Sequence, residues 1–356
     1  MKSIFGEFNL AALIFVIAIF TSGLFVKLSL AIAKRFGILD EPGKSVHKRH
    51  LQSTPLAGGI TIALVLVAIF VIFGSSFPST SWKILLASLI VFVFGMVDDI
   101  KGLGASGKIF GQSIAAIYLI SSGISVSIIK FAPKNVDLAI NLLITFVWLL
   151  SITNAFNLID GIDGLAISLG IVTSLFLLIG AVIAQQSEVV NLVAILTGSF
   201  LVLLPYNLTP ARLFLGDSGS QTVGFFFAAL AILYNPLSQP QSSSWFVPIT
   251  FFAIPIFDVL LVFFSRIRRG LAFYKSDLNH THHRLVRMGL SRKWAILAMS
   301  LVAFGIGLLG LVALYQAPIF SNLIFVGLLI GGMITFFYLE KSFEPISSAK
   351  DEARND

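Results

Sequence analysis

The sequence predicts an all-α polytopic membrane protein with about 10–11 transmembrane helices, and three observations carry that reading. Apolar residues make up 57% of the 356-residue chain and charged residues 12%, with a mean hydropathy of +0.96; a water-facing surface could not be built from that composition. The apolar residues fall in long runs rather than in alternation, which favours helices over the strands of a barrel. The basic residues are sorted to one side: with eleven spans and an external N-terminus, 20 of the 24 Lys and Arg fall on cytoplasmic segments, as the positive-inside rule requires.

In chain order the runs are Leu10–Phe25, Ile60–Phe73, Ile84–Val97, Ile109–Ile129, Ile140–Ile152, Ile167–Ala184, Leu192–Leu204, Phe225–Leu233, Phe246–Phe264, Ala295–Leu314 and Ile319–Phe337. A hydrocarbon core of about 30 Å takes roughly 20 helical residues, so several runs need their weakly polar flanks. Ile109–Ile129, broken by small polar residues, and the short Phe225–Leu233 are the weakest spans. The first run is too long for a signal-peptide core and lacks a small-residue cleavage site after it, so it reads as an anchor. Pro55 and Gly58–Gly59 should break the chain at the membrane surface before the second span. There are no cysteines, which removes disulfides, thiolate metal sites and covalent haem. No transporter-length repeat or soluble domain is visible. The expectation is a single integral-membrane domain over 1–340 and a polar, disordered cytoplasmic tail over 341–356.

The chain has only 17 acidic residues, and their placement is informative. Asp98 and Asp99 end a span in FGMVDDIKGL, while Asn154, Asn157, Asp160 and Asp163 lie in NAFNLIDGIDGLA. Asp217 lies in FLGDSGS, ten residues after Asn207, and Asp258 sits about two turns inside its span. A carboxylate deep in a membrane helix costs roughly 2.5–3.5 kcal/mol on insertion scales. One such Asp could be a solvated helix cap, but several gathered at one face repel unless a cation sits among them. Oxygen-only ligands point to a hard ion: Mg²⁺, or Mn²⁺ in its place, with Asn157 able to add a neutral oxygen. Gly161, Gly164, Gly216 and Gly219 would let backbone N–H groups approach a phosphate, although a tight interfacial turn would look the same. Phe214 could stack on a nucleobase or be one more buried Phe among 34.

The loop between Arg266 and Lys293 contains DLNHTHHRLVRMGLSRK, placing His280, His282, His283 and Arg284 within five residues. Missing thiolates argue against structural zinc, and Lys and Arg alone would satisfy topology, so this loop reads as an anion grip for a diphosphate. The first internal loop adds Lys44, His47, Lys48, Arg49 and His50. Such basic segments suit anionic lipid headgroups or a phosphorylated substrate, not nucleic acid.

Taken in order, TPLAGG, DDIKGL with Lys108 and Gln112, NAFNLIDGIDGLA, NLTPARLFLGDSGS and HTHHRL resemble the polyprenyl-phosphate N-acetylhexosamine-1-phosphate transferase family (glycosyltransferase family 4) over nearly the whole chain. The resemblance implies Mg²⁺-dependent transfer of a sugar-1-phosphate from a UDP-sugar to a polyprenyl phosphate at the cytoplasmic face of the bacterial inner membrane, with room for a homodimer. It implies catalytic roles for Asp98 and Asp99, and metal binding by Asp217 and Asn157. Substrate contacts are implied for Lys108, Asp160, Asp163, Asn207, Phe214, His280, His282, His283 and Arg284. The HTHH form resembles the UDP-GlcNAc branch more than the muramoyl-pentapeptide branch. Lys101 stands where many relatives place an acid, which puts a third carboxylate there in doubt. A transporter or a lipid-diphosphate hydrolase would be the rival classes; a transporter should show charges at the midplane and a repeat.

Overall fold

Backbone groups in hydrocarbon must be satisfied within their own segment, and the apolar runs meet that demand as helices in the computed structural model. The structure describes residues 2–40, 53–235, 246–271 and 279–343. Lys44, His47, Lys48, Arg49 and His50 of the first basic loop, and the tail beyond Phe343, lie outside the described residues.

The helices are α1 (Lys2–Phe36), α2 (Gly58–Phe73), α3 (Ser79–Lys101), α4 (Gly104–Ser121), α5 (Lys134–Ile159), α6 (Leu165–Ile183) and α7 (Ser187–Asn207). They continue with α8 (Gly216–Leu233), a broken pair α9 (Phe246–Phe251) and α10 (Ala253–Arg268), the short α11 (Thr281–Arg287), α12 (Arg292–Ala313) and α13 (Pro318–Glu340). Eight of these, α1 to α3, α5 to α7, α12 and α13, are long and apolar enough to cross a membrane. α4, α8 and the α9–α10 pair are helices that cover the other three apolar runs of the sequence. A two-residue antiparallel pairing of Leu39–Asp40 with Thr54–Pro55 leads the chain into α2.

Both weak spans differ from their sequence outlines. The run from Ile109 to Ile129 is helical only to Ser121, and the extended residues beyond are satisfied from α5. Val126 N–H donates to Thr145 Oγ1, and Ile128 and Ile129 N–H both donate to Asn141 Oδ1, each at 3.0 Å. Phe225–Leu233 is the second half of a helix that starts at Gly216. Its polar first half is helical because it is enclosed by protein: every residue from Ser218 to Ile232 is buried. α8 is thus the central helix, packed on α2, α3 and α5. By contrast α13 buries only Ser321, Leu339 and Glu340, and side chains such as Phe20, Val71, Leu143 and Ile334 point outward as a lipid-facing surface.

Small residues let α8 come close to its neighbours, as at helix contacts in membranes generally. A Cβ at Gly95 of α3 would lie 2.6 Å from Ser218 Cα, and one at Gly59 of α2 would lie 2.5 Å from Gly219 N. Gly58 and Gly59 N–H donate to Phe214 O and Leu215 O at 2.9 and 3.0 Å. The Pro-Gly break expected before the second span is therefore also the seam that fixes where α8 begins.

Candidate active site

The first four N–H groups of a helix have no partner inside it, and at α8 the partner comes from another helix. Asp99, near the end of α3, accepts Asp217 N–H at 2.7 Å, Ser218 N–H at 3.0 Å and the Ser218 hydroxyl at 2.6 Å. Gly216 has φ +73°, and a Cβ there would meet Asp99 Oδ2 at 2.7 Å. This corrects two expectations. The glycine-flanked N–H groups at 217 and 218 are occupied by a carboxylate and so do not face a phosphate. Asp99, expected to be catalytic, has both oxygens engaged by α8 and acts as a positioning residue for Asp217.

Asp98 points the other way. Its Oδ2 lies 2.9 Å from Lys108 Nζ, and its Oδ1 accepts Leu103 N–H at 2.7 Å. The same ammonium donates to Asp217 Oδ1 at 2.6 Å, so one lysine of α4 joins carboxylates from α3 and α8. Asp217 Oδ1 also accepts Asn157 Nδ2 at 2.6 Å and Gln221 Nε2 at 3.1 Å. Behind Gln221 runs a relay of amides across three helices. Asn154 Nδ2 donates to Gln112 Oε1 at 2.7 Å, and Gln112 Nε2 donates to Gln221 Oε1 at 2.9 Å. The relay fixes which end of each amide faces its neighbour and aims N–H groups at Asp217. Sequence reasoning quoted Gln112 and Asn154 but gave Gln221 no role; its spacing of four from Asp217 on one helix was the available signal.

Past α5 the chain turns through Asp160–Gly164. Asp160 is half-buried and accepts no hydrogen bond among the described residues. Burial, then the negative charges of Asp217, Asp99 and Asp163, push its pKa well above the ordinary carboxylate range. Asp163 accepts the Thr209 hydroxyl at 3.2 Å. Asn207 is buried, with its oxygen on Gly164 N–H at 2.9 Å and its nitrogen on Leu213 O at 3.0 Å. The substrate contact expected of Asn207 is thereby replaced by a clamp between two loops. Phe214 is half-buried, and its N–H donates to Pro55 O at 2.9 Å, placing it beside the start of α2.

The histidine loop folds onto the same region. Asp258 of α10 accepts Thr281 N–H at 2.6 Å and contacts His280 Nδ1 at 2.8 Å, capping α11 as Asp99 caps α8. This gives the one deep acid of the sequence a role that the residues alone did not reveal. His282 is fully buried with neither ring nitrogen hydrogen-bonded, and a Cβ at Gly161 would lie 3.1 Å from its ring. Burial holds the His282 pKa well below its usual value, and burial with the nearby cationic groups takes His283 down to about 4. Arg284, expected to grip a diphosphate, is 0% exposed. Its guanidinium donates to Asn279 O, Leu339 O, Glu340 Oε2 and Ser265 Oγ at 2.8–3.2 Å; it is internal to the fold rather than presented to a ligand.

The donor chemistry suits a hard divalent cation. Asp217, the amide of Asn157 beside it and the unpartnered Asp160 offer oxygens only. The described residues hold no ready-made group of three acidic or histidine ligands, and the one Lys108 ammonium between Asp98 and Asp217 balances only one of their two charges.

An all-α membrane bundle that gathers carboxylates, amides and a lysine at one end, under a histidine loop, defines a polytopic enzyme for anionic substrates. Comparison with known proteins gives the class a family. Glycosyl transferase family 4 matches residues 81–235. A probable undecaprenyl-phosphate N-acetylglucosaminyl 1-phosphate transferase of Bacillus subtilis is 30% identical over 319 residues, covering 89% of this chain and 88% of that one. A decaprenyl-phosphate N-acetylglucosaminephosphotransferase of Mycobacterium leprae is 32% identical over 297 residues, covering 72% and 73%. The undecaprenyl-phosphate alpha-N-acetylglucosaminyl 1-phosphate transferase of Escherichia coli K12 is 27% identical over 319 residues, covering 84% and 83%. The chain belongs to glycosyl transferase family 4.

Two outcomes follow from this geometry. Replacing Asp99 by Ala removes the α8 cap, so the detergent-solubilised protein should lose about 0.5–2 kcal/mol of stability as well as activity; an unchanged melting curve would return Asp99 to a purely chemical role. The second concerns pH. Histidines held neutral in the fold take up protons on unfolding at pH values between their lowered folded pKa and about 6.5. Between about pH 6.5 and about 4 the melting temperature of the wild type should therefore drop relative to that of a His282→Asn/His283→Asn variant. Parallel curves for the two proteins would contradict buried neutral imidazoles.

Proposed function

We propose that the protein transfers N-acetylglucosamine-1-phosphate from UDP-GlcNAc to a polyprenyl phosphate, undecaprenyl phosphate in a bacterium, releasing UMP and starting a cell-envelope polysaccharide. The observation that carries this reading is the single ammonium of Lys108 held between Asp98 and Asp217, in a family whose relatives are named for this reaction. The sorting of Lys and Arg supports a cytoplasmic position for this end of the bundle, at the inner membrane. That is where a nucleotide sugar from water and a lipid phosphate from the bilayer would meet. Muramoyl-pentapeptide transfer, lipid-diphosphate hydrolysis and transport lack comparable support.

In the proposed step an oxygen of the lipid phosphate forms a bond to the sugar-bearing phosphorus of the donor. The bond from that phosphorus to the bridging oxygen breaks, and UMP leaves with that oxygen and the bonding electrons. Repulsion between the two anions is the barrier that the site must lower. Mg²⁺ held by Asp217 and Asn157 would supply charge neutralisation for the diphosphate. Lys108 can exchange its carboxylate partners for phosphoryl oxygens without leaving the site, and Asp98, one oxygen fixed by Leu103 N–H, is placed to orient the lipid phosphate. Asp160, which accepts no hydrogen bond among the described residues, would face the nucleotide. Asp163, Phe214, His280, His282 and His283 complete the donor side.

Purified protein in detergent should release UMP from UDP-GlcNAc only when polyprenyl phosphate is added, and should prefer this donor to UDP-GalNAc and UDP-MurNAc-pentapeptide. Asp217→Asn should lower kcat by roughly 10²–10³-fold while the protein still inserts and purifies. UMP release without lipid, or near-normal turnover of the variant at ordinary Mg²⁺, would overturn the assignment.

A further inference from the structure

The mechanism above leaves one polar cluster unused: a charged network where the histidine loop meets the end of the last helix. Glu340, the final residue of α13, is 7% exposed and Arg284 is 0% exposed. Glu340 Oε2 accepts Arg284 Nη1 and Ser265 Oγ, each at 2.8 Å, while Oε1 accepts Arg269 Nε at 3.0 Å and lies 2.8 Å from its Nη2. Next to it, Arg287 Nε donates to Ser342 O at 2.9 Å, and the Arg269 guanidinium lies 3.9 Å from the centre of the Phe343 ring. Residues 341–343 are thus docked against the loop.

We propose that Glu340 is a positioning residue for the histidine loop: through Arg284 it holds Asn279–His283 against the Asp160–Gly164 turn. Arg284 Nε donates to Asn279 O at 2.8 Å, and Arg287 Nη2 donates to Asn279 Oδ1 at 3.0 Å. The network therefore grips the residue immediately before His280. Two residues further on, the His282 ring closes over Gly161 with no hydrogen bond of its own to hold it there. Its position depends on the anchors on either side, Asp258 at 280–281 and Glu340 through Arg284. A buried guanidinium that loses its carboxylate is strongly destabilised. Without Glu340, Arg284 would leave the interior for water and take the loop with it. The rest of α13 is almost wholly lipid-facing, so this acid, with the carbonyls of Leu339 and Ser342, ties the last span to the loop.

The consequence for catalysis rests on the histidine loop being a donor contact, as proposed above, but the position of the loop can be read without turnover. The chain has no cysteine, so a single Thr281→Cys substitution gives a clean probe. Thr281 is 5% exposed and its hydroxyl makes no hydrogen bond, so the exchange removes none. A soluble maleimide should label Thr281→Cys at least tenfold faster when Glu340→Ala is added. Glu340→Gln, which keeps acceptor atoms but loses the charge, should fall between. A control cysteine at Ala229, buried in α8, should stay unreactive in both backgrounds. With Thr281 intact, Glu340→Ala should raise KM for UDP-GlcNAc at least fivefold while changing KM for polyprenyl phosphate less than twofold. Unchanged labelling at 281, or labelling at 229 rising in step with it, would overturn the positioning role. A wild-type protein that released no UMP would defeat the transfer reading instead, and the labelling arm would still decide whether Glu340 holds the loop.

Discussion

One lysine ammonium shared by two carboxylates is the contact on which the site depends. Asp98 and Asp217 come from different helices, and two carboxylates brought together repel unless a cation lies between them or they share a proton. Lys108 supplies the cation, reaching both at under 3 Å. For α3 and α8 to meet at that point, backbones must approach more closely than side chains normally allow, which is why Gly95 sits at their crossing; Gly59 and Gly219 do the same where α2 meets α8. The arrangement also suggests how the resting site tolerates its charge: the lysine that balances the acids is the group that would balance incoming phosphates.

Acids are few in this chain, and most described ones near the site hold backbone or guanidinium groups. Asp99 caps α8 and Asp258 caps α11, each from a neighbouring helix, while Glu340 neutralises Arg284. A cap in trans does more than satisfy N–H groups: it fixes where the helix starts relative to another, and so sets the height of Asp217 and of the histidines. Under the proposed function, Asp98, Asp160, Asp163 and Asp217 are the carboxylates left for substrates and metal.

The fold was legible in the sequence because hydropathy and charge sorting act residue by residue. Eight spans stand out on apolar length alone, and the two weak runs were misjudged only at their ends. Asn141 and Thr145 rescue an extended segment, and burial by protein extends α8 through GDSGSQTV. The site was legible as a set of residues and not as a set of roles. Asp98, Asp99, Asn157 and Asp217 do converge, yet the sequence could not show that Asp99 faces amides while Asp98 faces an ammonium. One residue along a helix turns a side chain by about 100°. Arg284 and Asn207 were misread for the same reason: neighbouring residues fix a motif, but the partners that bury a side chain lie far along the chain. Glu340, 56 residues from Arg284, left no local signal.

The shared-cation account is tested most directly by a double-substitution cycle on Lys108 and Asp98, read as melting temperature in detergent. Lys108→Met alone should lower the melt, because two acids then face each other uncompensated. Adding Asp98→Asn to Lys108→Met should recover part of that loss, with a coupling of about 0.5–3 kcal/mol. If Asp98→Asn instead lowers the melt of the Lys108→Met protein as much as it lowers the wild type, the two groups act independently and the lysine does not balance the pair.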